Sequence, residues 1–268
     1  MKRAAQFAVA TVALLAALAP VYWLLTISLK QEGDQFAVPP LWFHFAPTVQ
    51  HYLKAFQSGA FTRYFANSIV TATASTVLAL LLGVPAAYGL SRFPWPKLSF
   101  WILSTRMLPP IVTIIPVFLM LREAHLLNSL AGLTIVYTGF NLPFVVWMMQ
   151  SFFDDVPRDL EEAAMLDGES RFGAFLRIVL PLVTPGLSAT AVFCLIVAWN
   201  EFLFALILTQ TESAMTMPVG IAAQVTQYEI KWGAMSAAGV AAMVPVLLFA
   251  TAAQKYLVRG LSLGAVKG

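Results

Sequence analysis

One polar patch of side chains that could do chemistry stands out in this apolar chain, EEAAMLDGESRFGAFLRIVLP at 161–181. Glu161, Glu162, Asp167 and Glu169, with Asp159 just before them, make it acidic, which suits either a solvated cap or contact with a partly basic partner surface. Elsewhere such residues are sparse. Glu201 stands beside Trp199 and Asn200, and Arg106 lies alone in an apolar run. Tyr137 and Asn141 are four apart with Trp147 beyond them, offering the aromatic, hydroxyl and amide groups that sugar sites combine, or an ordinary helix–helix contact. His44, His51 and His125 have no carboxylate or second histidine at metal-ligand spacing and read as surface residues, and Cys194 is isolated. No catalytic set and no metal set results. No glycine is followed by lysine, so there is no G-x-x-x-x-G-K-[ST] cradle for nucleotide phosphates. No cofactor is expected in this chain.

The elements that must hold these residues are apolar. Hydrophobic residues make up 59% of the 268 and charged residues 11%, against roughly 45–50% and about 25% in soluble domains. A helix needs about 20 apolar residues to cross the hydrocarbon core. Six stretches qualify, approximately Ala5–Leu29, Ser68–Leu90, Phe100–Leu121, Leu130–Gln150, Leu182–Thr209 and Gly233–Ala253. Barrel strands use about 9–11 alternating residues, so the fold class expected is an all-α membrane protein with six transmembrane helices. Met1-Lys2-Arg3 and Ala17-Leu18-Ala19 resemble parts of a secretory signal, but the apolar run continues through Leu29 and reads as an uncleaved first span. No internal repeat or linker is visible, so a single domain, 1–268, is expected.

Cytoplasmic loops are rich in Lys and Arg. With the N-terminus inside, ten basic residues fall inside and five outside, Arg106 being left in a span. Both termini and the acidic stretch are therefore expected in the cytoplasm. The scatter of basic residues along loops accounts for the pI near 9.1 without nucleic acid. Arg106 reads as snorkelling to the inner interface, too far in depth from Glu201 to pair with it. Glu201 and Asn200 suit an interhelical bond or a substrate or gate role. The outer segment 31–66 carries Trp42, Phe43 and Phe45, an interfacial anchor or a docking surface for an outer partner. Pro85, Pro109-Pro110, Pro116, Pro143 and Pro245 lie within spans, where neighbours can satisfy the freed carbonyls.

The inner loop, about 151–181, divides into two helices. Pro157 and Asp159 mark a helix start, Leu160, Ala163 and Ala164 share a face, and Gly168 stops the run. Ser170 can cap a second helix, whose Phe172, Phe175, Leu176 and Val179 fall at helical spacing. A first helix of about nine residues is marginal alone and needs packing.

Glu162-Ala163-Ala164, then three residues, Gly168, then nine residues and Ile178-x-Leu180-Pro181 match the EAA signature of permease subunits in binding-protein-dependent ABC importers. The carbohydrate, maltose-permease-like branch is resembled further by Asn67-Ser68 through Tyr88 and Arg92-Phe93, by Trp199-Asn200-Glu201-Phe202, and by the tail 259–268. The resemblance runs from about Pro47 to the end, with a family-like core of about 60–260. It implies a subunit of a bacterial or archaeal inner membrane that pairs with a second, similar permease chain. Two cytoplasmic ABC ATPases and an extracytoplasmic solute-binding protein complete the expected assembly. It also implies that Glu162, Ala163, Ala164, Asp167 and Gly168 couple to an ATPase, that Ile178, Leu180 and Pro181 brace them, and that Gly260–Gly268 reaches toward the ATPases. The expected function is half of the pathway for a sugar or polyol, with Tyr137, Asn141, Asn200 and Glu201 as pathway candidates. The rivals are an ABC permease for another solute, an ion-driven secondary transporter, which needs a buried ion site, and a non-transport scaffold, which leaves the EAA spacing unexplained.

Overall fold

The structure, a computed structural model, describes residues 2–57 and 59–264. Among these there is no strand, only an isolated bridge between Val225 and Ile230. In chain order the helices are α1 (Lys2–Leu29), α2 (Gln50–Gln57), α3 (Ala60–Arg92), α4 (Pro96–Ser104), α5 (Pro110–Glu123), α6 (Leu130–Asp154), α7 (Asp159–Leu166), α8 (Arg171–Ala174), α9 (Leu180–Leu182), α10 (Thr184–Trp199), α11 (Leu203–Leu208), α12 (Met217–Ala222) and α13 (Trp232–Gly264). Among the described residues four stretches are long and apolar enough to cross a membrane alone: Ala5–Leu29, Ala60–Arg92, Leu130–Asp154 and Trp232–Thr251. Two bent helix pairs, each counted as one span, bring the number to six.

The bends correct two expected spans. Phe100–Leu121 is not one rod: Pro96–Met107 and Pro110–Glu123 meet at 95°. Leu108 and Pro109 are extended there (ψ 122° and 131°). A residue before proline is pushed out of the α region, and two consecutive prolines remove two helical donors. Pro110 then starts α5, where a missing N–H costs nothing. The helices run unbroken through Pro85, Pro116, Pro143 and Pro245. Leu182–Thr209 is also divided. Arg171–Leu182 meets Thr184–Trp199 at 75°, and α10 stops at Trp199 before α11 begins.

The chain forms two compact units. The first contains residues up to 66 with 216–244. Here α1 exposes Phe7, Val12, Leu14, Leu15 and Leu18, as a helix meeting lipid does. The segment around Trp42–Phe45 folds back on the end of α1. Trp42 packs on Trp23 at 4.8 Å and Phe43 on Tyr22 at 5.7 Å, and the Lys30 ammonium lies 4.7 Å from the Trp23 ring and 5.3 Å from that of Phe45. His51 is not the surface residue expected. It is buried, its Nε2 2.9 Å from the Lys30 carbonyl oxygen and 3.3 Å from Gln35 Nε2. The reason is that α2 turns it toward the C-terminal carbonyls of α1, which lack helical donors.

The second unit contains 67–215 and the residues from 245 onward. Its core is Ala79, Val84, Ala87 and Leu90 of α3 against Val145, Val146, Met149 and Phe153 of α6, with Phe175, Val179, Val183 and Cys194. Gly83 sets the α3–α6 approach: a Cβ there would lie 2.6 Å from Val145 Cγ1. Small residues permit such close backbones where lipid supplies no hydrophobic drive.

Candidate functional site

The acidic stretch folds as a helix, a glycine corner and a second helix. Asp159, Glu161 and Glu162 occupy the first turn of α7, where negative charge complements the positive end of the helix dipole. The helix ends in a Schellman arrangement. Glu169 N–H donates to Ala164 O at 3.0 Å and Gly168 N–H to Met165 O at 3.1 Å. Gly168 has φ +93°, a left-handed conformation that costs residues with a Cβ. Ser170 Oγ then accepts from Gly173 N–H at 3.0 Å, capping α8.

The buried face of α7 differs from the one expected. Leu160 and Ala163 are exposed, whereas Ala164 and the charged Glu161 are buried. Glu162, Ala163, Leu166 and Asp167 look outward, Leu166 being 89% exposed. The expected stripe on the second helix is corrected too. Phe175 and Val179 are buried, but Phe172 and Leu176 are exposed. A π-helical turn spans Phe175–Val179, with Leu180 N–H donating to Phe175 O. The wider turn rotates later positions away from α-helical register. Ile178 lies within this turn, half-buried; Leu180 packs against the core, and Pro181 is exposed.

The Glu161 carboxylate is bound by two residues, Arg92 and Tyr88, on which no sequence motif placed a role. Its Oε1 accepts from Arg92 Nε at 2.5 Å and ion-pairs with Arg92 Nη2, and its Oε2 accepts from the Tyr88 hydroxyl at 2.5 Å. Arg92 also donates to Ser91 Oγ, Phe153 O and Val156 O. The Tyr88 ring stacks 4.5 Å from that of Phe175. Two signals for this cluster were in the sequence: Tyr88 and Arg92 are i, i+4 on one face, and Glu161 lies three before Ala164. Neither says which face turns inward.

The other candidates meet at a cavity of about 740 Å³ with mostly apolar walls. Tyr137, Asn141, Asn200, Glu201 and Arg106 all line it, and Trp147 does not. Asn200 and Glu201 also explain the break between α10 and α11. Asn200 Nδ2 donates to Ile196 O at 2.8 Å, and the Glu201 carboxylate accepts from Phe204 N–H at 2.9 Å and Ala205 N–H at 3.1 Å. The pair ends one helix and caps the next. Arg106, expected to snorkel, instead donates to Phe140 O at 3.0 Å and lies over the Phe144 ring, because the 3-10 turn Thr105–Met107 at the break swings it toward α6. Asn141 is buried, its amide 3.5 Å from Cys194 O. Among the described residues no three His, Cys, Asp or Glu side chains come together as a metal site.

The profile of the family described as binding-protein-dependent transport system inner membrane component matches residues 79–263. The sulfoquinovosyl glycerol transport system permease protein of Agrobacterium fabrum is 36% identical over 98% of this chain and 93% of its own. The trehalose/maltose transport system permease protein of Thermococcus litoralis is 35% identical over 93% of this chain and 91% of its own. In fold, the chain is similar to a subunit in the crystal structure of a bacterial ABC transporter involved in import of the acidic polysaccharide alginate. That match has a TM-score of 0.79 at 22% identity, covering 94% of this chain and 95% of the other. On the profile match and the extent of these identities, the chain belongs to the family of inner-membrane components of binding-protein-dependent transport systems.

Proposed function

We propose that this chain is one permease subunit of an ATP-driven importer for a sugar or a related polyhydroxy solute, coupled to cytoplasmic ATPases through α7. The observation that carries the coupling is the two-faced character of that helix. Glu161 and Ala164 fasten it inward, while Glu162, Ala163, Leu166 and Asp167 stand outward from a corner fixed by Gly168. A short charged helix presented in this way suits insertion into a groove of another protein. Ile178 and Leu180 brace it from the π turn, with Pro181 at the bend into α10.

The cavity supports the transport half of the reading. Tyr137, Asn141, Asn200, Glu201 and Arg106 put hydroxyl, amide and charged groups on an apolar wall, the mixture a polyhydroxy solute needs. Both relatives above are named for carbohydrate or glycoside transport, which supports the solute class. The remaining parts are a second, similar permease chain, two ATPases that bind ATP and magnesium, and a solute-binding protein outside. The excess of basic residues on the α7 side of the spans supports a cytoplasmic α7. Reconstitution of the chain with these partners in liposomes tests the function, by scoring which solutes stimulate ATP hydrolysis and accumulate inside. Stimulation by sugars is expected; stimulation by amino acids or ions alone overturns the solute class.

A further inference from the structure

Resting on the reading that α7 docks on an ATPase, we propose that Arg92 and Tyr88 are positioning residues for transport: they make α7 rigid with the spans, so that force on its outer face moves α3 and α6. α7 has eight residues, too few to hold together alone, and only Glu161 and Ala164 of it are buried. Its attachment is therefore concentrated on one carboxylate.

The guanidinium of Arg92 has five N–H donors in a planar fork, and this structure uses it on three sides. Nε donates to Glu161 Oε1, Nη1 donates to Ser91 Oγ at 3.1 Å and Phe153 O at 3.0 Å, and Nη2 donates to Val156 O at 3.3 Å while ion-pairing with Glu161. Phe153 and Val156 lie at the C-terminal end of α6, whose last carbonyls have no helical partner. One side chain thus joins the last turn of α3, the end of α6 and the first turn of α7. The dipoles agree: the cation sits at two helix C-termini and the carboxylate at a helix N-terminus. The Tyr88 hydroxyl occupies the second oxygen of Glu161, leaving the carboxylate little freedom to rotate. The Arg92 and Glu161 side chains are 5% and 6% exposed. Separating them would leave an uncompensated charge, so α7 moves with the ends of α3 and α6 rather than hinging away from them. Lysine, a point charge with three donors, cannot reproduce the planar fork.

The test uses the complete importer in liposomes. It reads retention of the ATPase chains on purification, the melting temperature, and solute taken up per ATP hydrolysed. Arg92→Lys is expected to keep the ATPase chains while uptake per ATP falls about tenfold, the scale of one lost charged hydrogen bond. Should Arg92→Lys fail to fold, the double variant Arg92→Met with Glu161→Met fills the same space without charge. That variant is expected to melt near the wild type yet still couple poorly. If it couples as well as the wild type, the pair is packing alone and the proposal is overturned. Leu166→Asp, on the outer face, separates the two ideas. If it leaves the ATPase chains bound, the docking reading fails whatever the Arg92 variants do. If it releases them while the double variant couples normally, only the present proposal fails.

Discussion

The side-chain amide of Asn67 donates to the main-chain carbonyl of Met215 at 2.8 Å, across 148 residues of chain. The same nitrogen reaches Ser213 O at 3.1 Å, and Asn128 Oδ1 accepts from Gln210 and Thr211 N–H from the other side. Two asparagines thus hold the segment that follows α11. Asn67 is buried, so Asn67→Ala takes this donor away from the carbonyls of Ser213 and Met215. Loss of a buried hydrogen-bond partner costs about 1–3 kcal/mol. The variant is expected to melt several degrees lower in detergent and to become protease-sensitive at 209–216; unchanged melting would show that water replaces the amide.

Gly83 and Val145 form a second relationship of this kind. Gly83→Ala places a methyl where Val145 Cγ1 already stands. Val145 is fully buried and stiff at χ1, so the helices must separate, at about 1–3 kcal/mol for overpacking. Lower yield and melting temperature are expected, with recovery in the double variant Gly83→Ala, Val145→Ala. Absence of recovery would mean that α3 and α6 approach differently.

Gly168 separates backbone conformation from packing. Nothing lies within 4 Å of a Cβ built there, while its φ is +93°. Gly168→Ala meets no clash and costs about 1–2 kcal/mol for the left-handed conformation, so mildly reduced transport is expected. Gly168→Pro cannot adopt that φ and loses the N–H that bonds Met165 O. Membrane insertion without uptake is expected, and wild-type uptake by Gly168→Pro would show that the corner is not the joint.

Glu201 caps α11 and lines the cavity at once. Glu201→Ala loses the cap, worth about 1 kcal/mol, and is expected to lower both melting temperature and uptake. Glu201→Gln keeps one acceptor oxygen without the charge. Uptake is expected to change while yield and melting stay near wild type. Identical transport kinetics for Glu201→Gln would confine the residue to its capping role.

Several elements were legible because their causes are local. Apolar length announces a helix that crosses lipid, a serine accepting from a backbone N–H starts α8, and a glycine at positive φ ends α7. The breaks were half legible. Pro109-Pro110 was visible in the sequence, but prolines at 85, 116, 143 and 245 sit in unbroken helices. The π turn at Phe175–Val179 had no signature, since its residues also fit an α-helix. The tail Gly260–Gly268 leaves the described residues after 264.

The sequence by itself determined the solvent, the helical class and the position of the glycine corner, because hydrophobic length, capping chemistry and a left-handed glycine act within a few residues. Tertiary structure alone decided that Glu161, and not its neighbour Glu162, turns inward to Arg92, and that Arg106 shares a cavity with Glu201. A carboxylate is worth burying only where a guanidinium waits, and that meeting depends on how α3, α6 and α7 pack.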